Sequence, residues 1–215
     1  MKKLSDLAIS FTIFLFIISF SVVVTLNFKQ LYYINVDSQN LSEQTGISRE
    51  LIIENYDRLI DYNSIFNADT LEFENLAMSN EGRIHFEEVK NIFVSIQIIL
   101  IISALITVIA MYFKIKKKDF KFIFYSSLAT ITIPLVLGII IAINWQWCFV
   151  MFHKIAFRND YWIFDPLKDP VITLLPNSFF MQCSIMIISI ILILSAILFV
   201  LWKILKKPVE KNADL

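Results

Sequence analysis

The chain has 215 residues, of which 57% are hydrophobic, with a mean hydropathy of +0.68 and a formal net charge of zero. A soluble domain of this length has no interior large enough for so much apolar surface, so the soluble classes are excluded and lipid must be part of the solvent. With three glycines in all and its lysines gathered in short flanks, the chain has no phosphate-cradling glycine loop, no dinucleotide fingerprint and no surface for nucleic acid.

Residues 1–27, containing "LAISFTIFLFIISFSVVVTL", form the first apolar run. It is about twenty residues long, beyond the core of a signal peptide, and no small-x-small cleavage site follows, which predicts an uncleaved membrane span. Residues 28–90 are too long for a bare connection. Within them "SRELIIENYDRLIDYN" places Leu51, Ile52, Tyr56, Leu59 and Ile60 on one face of a helix with Ser48 as its cap. The following "IFNADTLEFENLAMSNEG" alternates and turns, and reads as a short strand pair. Gly82 reads as a turn, after which "RIHFEEVKNIF" leads helically into a second span at residues 91–113.

Residues 114–121 are a short basic loop, and residues 122–144 are a third span interrupted only by small hydroxyls, Pro134 and Gly138. Residues 145–181 carry a histidine, an arginine and several aspartates and prolines between two apolar runs. Their first part, "WQWCFVMFHKIAF", either continues span three or lies along the interface; "RNDYW" and "DPLKDP" break it, because residues before proline leave helical geometry. Pro176 suits the start of a fourth span at residues 182–203, and residues 204–215 are a basic tail.

Lys2 and Lys3, the 114–121 lysines, and Lys203, Lys206, Lys207 and Lys211 all fall on one side of a four-span arrangement, which the positive-inside rule makes cytoplasmic. The first long loop has twelve Asp and Glu against five Lys and Arg and faces outward. The expected fold class is an all-α membrane protein: four transmembrane helices with an extracytoplasmic cap built from the long first outer loop and the loop between spans three and four. Trp145 and Trp147 mark the outer interface, Tyr112 and Trp202 the inner one. Cys148 and Cys183 lie near outer span ends, where two apolar-facing thiols are favoured over an outward disulfide.

The two histidines, His85 and His153, are both expected at the outer face, within about a turn of a helix end. An imidazole takes and returns a proton near neutrality, with Glu87 and Glu88, or Asp160 and Asp165, available to fix a tautomer. An interfacial, merely structural role accounts for the spacing equally well. Two histidines do not close a zinc site, and a third ligand from Glu88 or Asp165 is disfavoured. Arg158 and Lys154 also read as snorkelling residues that meet lipid phosphates.

The segments "GRIHFEEVKNIF" and "FHKIAFRNDYWIFDPLKDPVITLLPNSFF", each leading into a span, resemble the bacterial lipoprotein intramolecular transacylase family (Lit) over essentially the whole chain. The resemblance implies an acyltransferase that moves the sn-2 acyl chain of a diacylated lipoprotein to the α-amino group of its amino-terminal cysteine, giving a lyso-form product. It puts the catalytic pair on His85 and His153. It also implies a site at the extracytoplasmic face of the bacterial cytoplasmic membrane, with both termini inside. Ester-to-amide transfer runs downhill, so no cofactor or metal is called for. Arg158, Asn159, Tyr161 and Asp165 are candidates for substrate binding or oxyanion stabilisation. Substrate lipoprotein and membrane lipid are the implied partners, with no oligomeric state specified. The rival class is a non-catalytic membrane accessory protein with an outward partner-binding domain and structural histidines. A small transporter fits less well, since the spans hold essentially no ionisable residues.

Overall fold

The structure, a computed structural model, describes residues 2–206, with side chains from Leu4 onward. The positions of Lys207 and Lys211, and the side chains of Lys2 and Lys3, lie outside the described residues. In chain order the helices are α1 (Lys2–Asn27), α2 (Lys29–Ser38), α3 (Leu41–Thr45), α4 (Arg49–Tyr62), α5 (Asn80–Lys116), α6 (Lys121–Ile143), α7 (Trp145–Ala156) and α8 (Asn177–Lys206), with a 3₁₀ turn at Pro170–Leu174 before α8. The expected all-α class with four spans is what is found: α1, α5, α6 and α8 are long and apolar enough to cross a membrane. At 37 residues α5 is longer than a bilayer requires. Its first turns carry Glu81, Arg83, His85, Glu87, Glu88 and Lys90, so the crossing part begins after Lys90.

The chain divides into two compact units. The first comprises residues up to Val22, Ile98–Ile140 and Met186 onward. Its core is Ile13 and Ile17 of α1, Phe122 and Ile123 of α6 and Ile191 of α8. Side chains such as Leu105 and Val108 point outward, as apolar groups do when the surrounding solvent is hydrocarbon. Several buried hydroxyls are satisfied within their own helices: Ser126 donates to the Phe122 carbonyl at 2.8 Å and Ser195 to that of Ile191 at 2.7 Å. Lys114, expected in a solvated basic loop, is instead buried. It pairs with Asp6 of α1 and, at 2.8 Å, with Asp119 in the α5–α6 turn. A lysine at the end of a span can be buried only with such partners.

The second unit comprises Val23–Gln97 and Ile141–Ile185. Tyr32 of α2 and Tyr56 of α4 stack with ring centroids 3.7 Å apart, and Phe179 of α8 meets both edge-on. The Tyr32 hydroxyl donates to the Leu174 carbonyl at 2.8 Å, which satisfies its polar tip inside this core. The expected α4 is found with its cap, Ser48 Oγ accepting from Leu51 N–H at 3.3 Å, and with Ile52, Tyr56, Leu59 and Ile60 buried. Gly46 ends α3 with φ at +70°, a left-handed position that glycine fills without strain.

The expected strand pair is not present, and no strand occurs among the described residues. The alternation in residues 63–79 does reflect burial, since Leu71 and Phe73 join the core. The backbone, however, is satisfied by side chains. The Asn55 carboxamide takes both polar groups of Glu74, accepting from its N–H at 2.6 Å and donating to its carbonyl at 3.1 Å. Gln97 accepts from Ile65 N–H at 3.1 Å and donates to the Asn63 carbonyl at 2.8 Å. A segment pinned in this way needs no partner strand.

Candidate active site

Both histidines lie in the second unit. His85 is fixed by the way α5 begins. Ser79 caps the helix, its Oγ accepting from Gly82 N–H at 2.9 Å. The buried Asp169 carboxylate then accepts from Ser79 N–H and from its hydroxyl, both at 2.7 Å. Gly82 does not make the turn expected of it. It lies inside α5, and a Cβ there would run into the Asp169 carboxylate and stand 3.2 Å from Phe164. Glycine is required for this close approach. One turn later His85 emerges, only 5% exposed, with Phe164 at 5.3 Å and Phe157 at 4.6 Å between ring centroids.

His153 comes from α7. Asn144 leaves helical geometry and caps the new helix through Trp147 N–H at 3.0 Å, so α7 is a separate element and not a continuation of α6. Its start is tied to that of α8 by Trp145 Nε1 donating to Asn177 at 2.7 Å. Phe149, His153 and Phe157 follow at four-residue spacing, so the His153 ring is covered along the helix by Phe149 at 4.2 Å and bounded by Phe157 at 5.7 Å. Trp162 lies against it, with ring centroids 4.8 Å apart and planes tilted by 31°.

The two imidazoles face each other with centroids 6.2 Å apart and planes 29° from parallel. At that separation their nitrogens are beyond hydrogen-bonding reach of one another. His153 Nδ1 is 2.7 Å from the Phe149 carbonyl. A carbonyl only accepts, so Nδ1 carries the proton and Nε2 holds the free lone pair. The tautomer is thus set by α7's own backbone and not by Asp160 or Asp165. Burial pushes the His153 pKa down, opposed by this bond. Burial, and then the neighbouring His153, lower that of His85 to about 4. His85 Nδ1 is buried with no hydrogen-bond partner among the described residues.

Of the other predicted site residues, Asn159 is tied to α5, its Nδ2 donating to Glu88 Oε1 at 2.8 Å. Arg158 and Tyr161 are exposed. Asp165 is exposed and its carboxylate accepts from Leu167 N–H at 3.0 Å within a turn. Glu87 pairs with Arg83 on the outer side of α5. Cys148 and Cys183 are both free thiols. Among the described residues no group of three His, Cys, Asp or Glu is arranged to hold a metal ion. Sequence reasoning did not single out Phe149, Phe157, Trp162, Phe164 or the Asp169–Gly82 contact. The four-residue aromatic spacing around His153 was a signal that could have found the first two.

The family description "Lipoprotein intramolecular transacylase Lit" matches residues 7–180. Among solved structures, the chain is similar to the membrane-integral lipoprotein intramolecular transacylase Lit from Bacillus cereus, with 40% identity over 95% of each chain and a TM-score of 0.93. H85R and H85A variants of that Bacillus cereus protein match at the same identity over 95% of this chain, covering 92% and 93% of theirs, each with a TM-score of 0.86. No curated protein sequence matches the chain. With a family match over most of its length and a relative of this identity along nearly all of it, the chain belongs to the lipoprotein intramolecular transacylase family.

Proposed function

We propose that His85 and His153 are the proton-transfer pair of an intramolecular acyl transfer, in which the α-amino nitrogen of a lipoprotein's amino-terminal cysteine displaces the sn-2 oxygen of its own diacylglyceryl group. The single observation that carries this reading is the facing pair of imidazoles, 6.2 Å apart in an aromatic enclosure, one with its tautomer set. His153 Nε2 is the base. It takes one proton from the α-ammonium, whose ordinary pKa is roughly 7.7–8. The freed amine attacks the ester carbonyl. The new N–C bond leaves nitrogen with an acidic proton and the former carbonyl oxygen with a negative charge. Trp162 Nε1 is a buried donor without a partner among the described residues, and a charged oxygen at this point would receive it. This assignment replaces Arg158 and Asn159 as oxyanion donors.

His85 stays neutral at physiological pH, and carries the second proton from nitrogen to the departing sn-2 oxygen as the C–O bond breaks. The proton on His153 returns to solvent. An amide replaces an ester, and the product is an N-acyl, S-monoacylglyceryl lipoprotein. Arg158 and Tyr161 meet substrate or lipid headgroups at the rim, and Asp165 acts through the turn it holds.

The α7 helix supports a membrane-boundary location for this chemistry. It has no buried residue, and Trp147, Phe152 and Ile155 are exposed, as are Ile163 and Leu167 in the following loop. An apolar face of this kind lies in the interfacial layer. Residues 28–90 and 145–181 then form the extracytoplasmic cap, with both termini cytoplasmic.

The test is mass spectrometry of a model lipoprotein's amino-terminal lipopeptide from cells with the protein, without it, and with His153→Ala. Transfer of one acyl chain from glycerol to nitrogen with the intact protein alone is the expected result. Identical lipopeptides in all three would favour the accessory-protein reading.

A further inference from the structure

The reaction as described leaves one partly buried carboxylate near His85 without a role. Glu88 lies three residues after His85, on the same side of α5. Its Oε1 is held by Asn159, two residues beyond the Phe157 ring that borders both histidines. Its Oε2 is shielded from solvent and has no hydrogen-bond partner among the described residues. The nearby cations do not serve it: Arg83 is taken up by Glu87 and Asn80, Lys90 lies over the Tyr62 ring, and Arg158, next to Asn159, is exposed and leaves Glu88 Oε2 without a hydrogen-bond partner among the described residues. A shielded carboxylate oxygen without a donor is costly. Such a group is retained in a fold where something else supplies the donor.

We infer that Glu88, oriented by Asn159, is the receptor for the substrate's α-ammonium group. This rests on the transacylase reading above and adds how the enzyme selects a lipoprotein whose amine is still free. An α-ammonium has three N–H donors. One bonds to Glu88 Oε2, and a second points to His153 Nε2 and is the proton removed. Once it is gone, the nitrogen keeps its bond to Glu88 and turns its lone pair to the ester. An already N-acylated lipoprotein has no positive charge to offer and is refused, so the same contact prevents the product from rebinding well.

The experiment uses the full chain in detergent and a diacylglyceryl lipopeptide whose sn-2 ester is replaced by an ether, so that binding is measured without turnover. Its free-amine form and its N-acetyl form are compared. The wild type is expected to prefer the free amine by about tenfold or more, the scale of one charge-assisted hydrogen bond. Glu88→Gln, which preserves an acceptor for Asn159, should bind both forms alike. The wild-type preference should also decline between pH 7 and pH 9.5 as the amine loses its proton, a readout that holds if Glu88→Gln fails to fold. A preference unchanged in Glu88→Gln, or unchanged across that pH range, would overturn the assignment. The ester substrate is run in parallel: no transfer by the wild type overturns the transacylase reading and this inference with it, whereas transfer with an unaltered preference overturns only the role of Glu88.

Discussion

His85 should resist protonation far below the usual histidine range. Its pKa in the folded protein is about 4, against an ordinary value of 6.5. The first cause is burial among Phe157, Phe164 and Phe86, and the second is the neighbouring His153. Between pH 6.5 and 4 the unfolded chain therefore binds a proton at this position that the native protein does not. Stability falls as pH falls through that window. A depression of that size corresponds to about 3 kcal/mol lost in full below pH 4, using roughly 1.4 kcal/mol per pKa unit. The assay has two parts. Histidine ring resonances followed by NMR in micelles should show His85 titrating near pH 4. Unfolding of the wild type and of His85→Gln, measured from pH 7.5 to 4, should show the wild type losing about 3 kcal/mol relative to the variant. Because burial is the larger cause, most of the depression should survive His153→Gln. A His85 titration at pH 6 or above in the folded protein would refute the reasoning, as would parallel pH profiles for the two proteins.

Four other outcomes are expected. His153→Ala and His85→Ala should each lower turnover by roughly a hundredfold or more, with the double variant little worse than the worse single; a stably inserted, fully active single variant would remove that residue from the mechanism. Trp162→Phe keeps a ring against His153 but deletes the N–H donor, and should lower kcat by about a hundredfold with KM nearly unchanged. Gly82→Ala forces a methyl group against Asp169 and Phe164, so thermal unfolding should show about 1–3 kcal/mol of destabilisation together with reduced turnover. Asp6→Ala leaves buried Lys114 with Asp119 alone and should cost on the order of 3 kcal/mol; an unchanged unfolding temperature would show the pair to be dispensable.

The membrane spans were legible because nothing but a helix satisfies a backbone in hydrocarbon, and twenty apolar residues in a row have few other readings. Helix α4 was legible because Ser48 and the Ile52, Tyr56 and Leu59 face agree with one another. Helices α2 and α3 were not, since residues 29–45 are held by long-range contacts such as Tyr32 to Leu174 and Asn35 to Gln182, 2.6 Å apart. Gly82 was misread for a related reason. A glycine inside a helix signals a turn until the carboxylate that needs its space is seen, and Asp169 is 87 residues further along the chain. Leu71 and Phe73 show the converse: their alternation reported burial correctly, but the partner of the backbone was a carboxamide and not a strand. His85 and His153 stood out as the two histidines of the chain, yet their relation depends on an aromatic enclosure assembled from α5, α7 and the loop after α7.

That enclosure explains why a low pKa suits this chemistry. A histidine acting alone as base toward an α-ammonium would be disadvantaged by a depressed pKa, because the proton would move further uphill. With two imidazoles the requirements separate. His153 is only half-buried, and its Nδ1–H bond to Phe149 opposes the depression, so it keeps more of an ordinary histidine's basicity. His85 need never rest as a cation. In the proposed transfer it accepts a proton from a positively charged nitrogen and releases it at once to a departing oxygen, and a weakly basic, desolvated imidazole releases it readily. In the proposed mechanism, the burial that costs the protein stability at low pH is therefore the same burial that would make His85 a fast relay. It also strengthens every electrostatic contact with the transition state. Relieving it, for instance by replacing Phe157 with a polar residue of similar size, should raise the His85 pKa and lower turnover together.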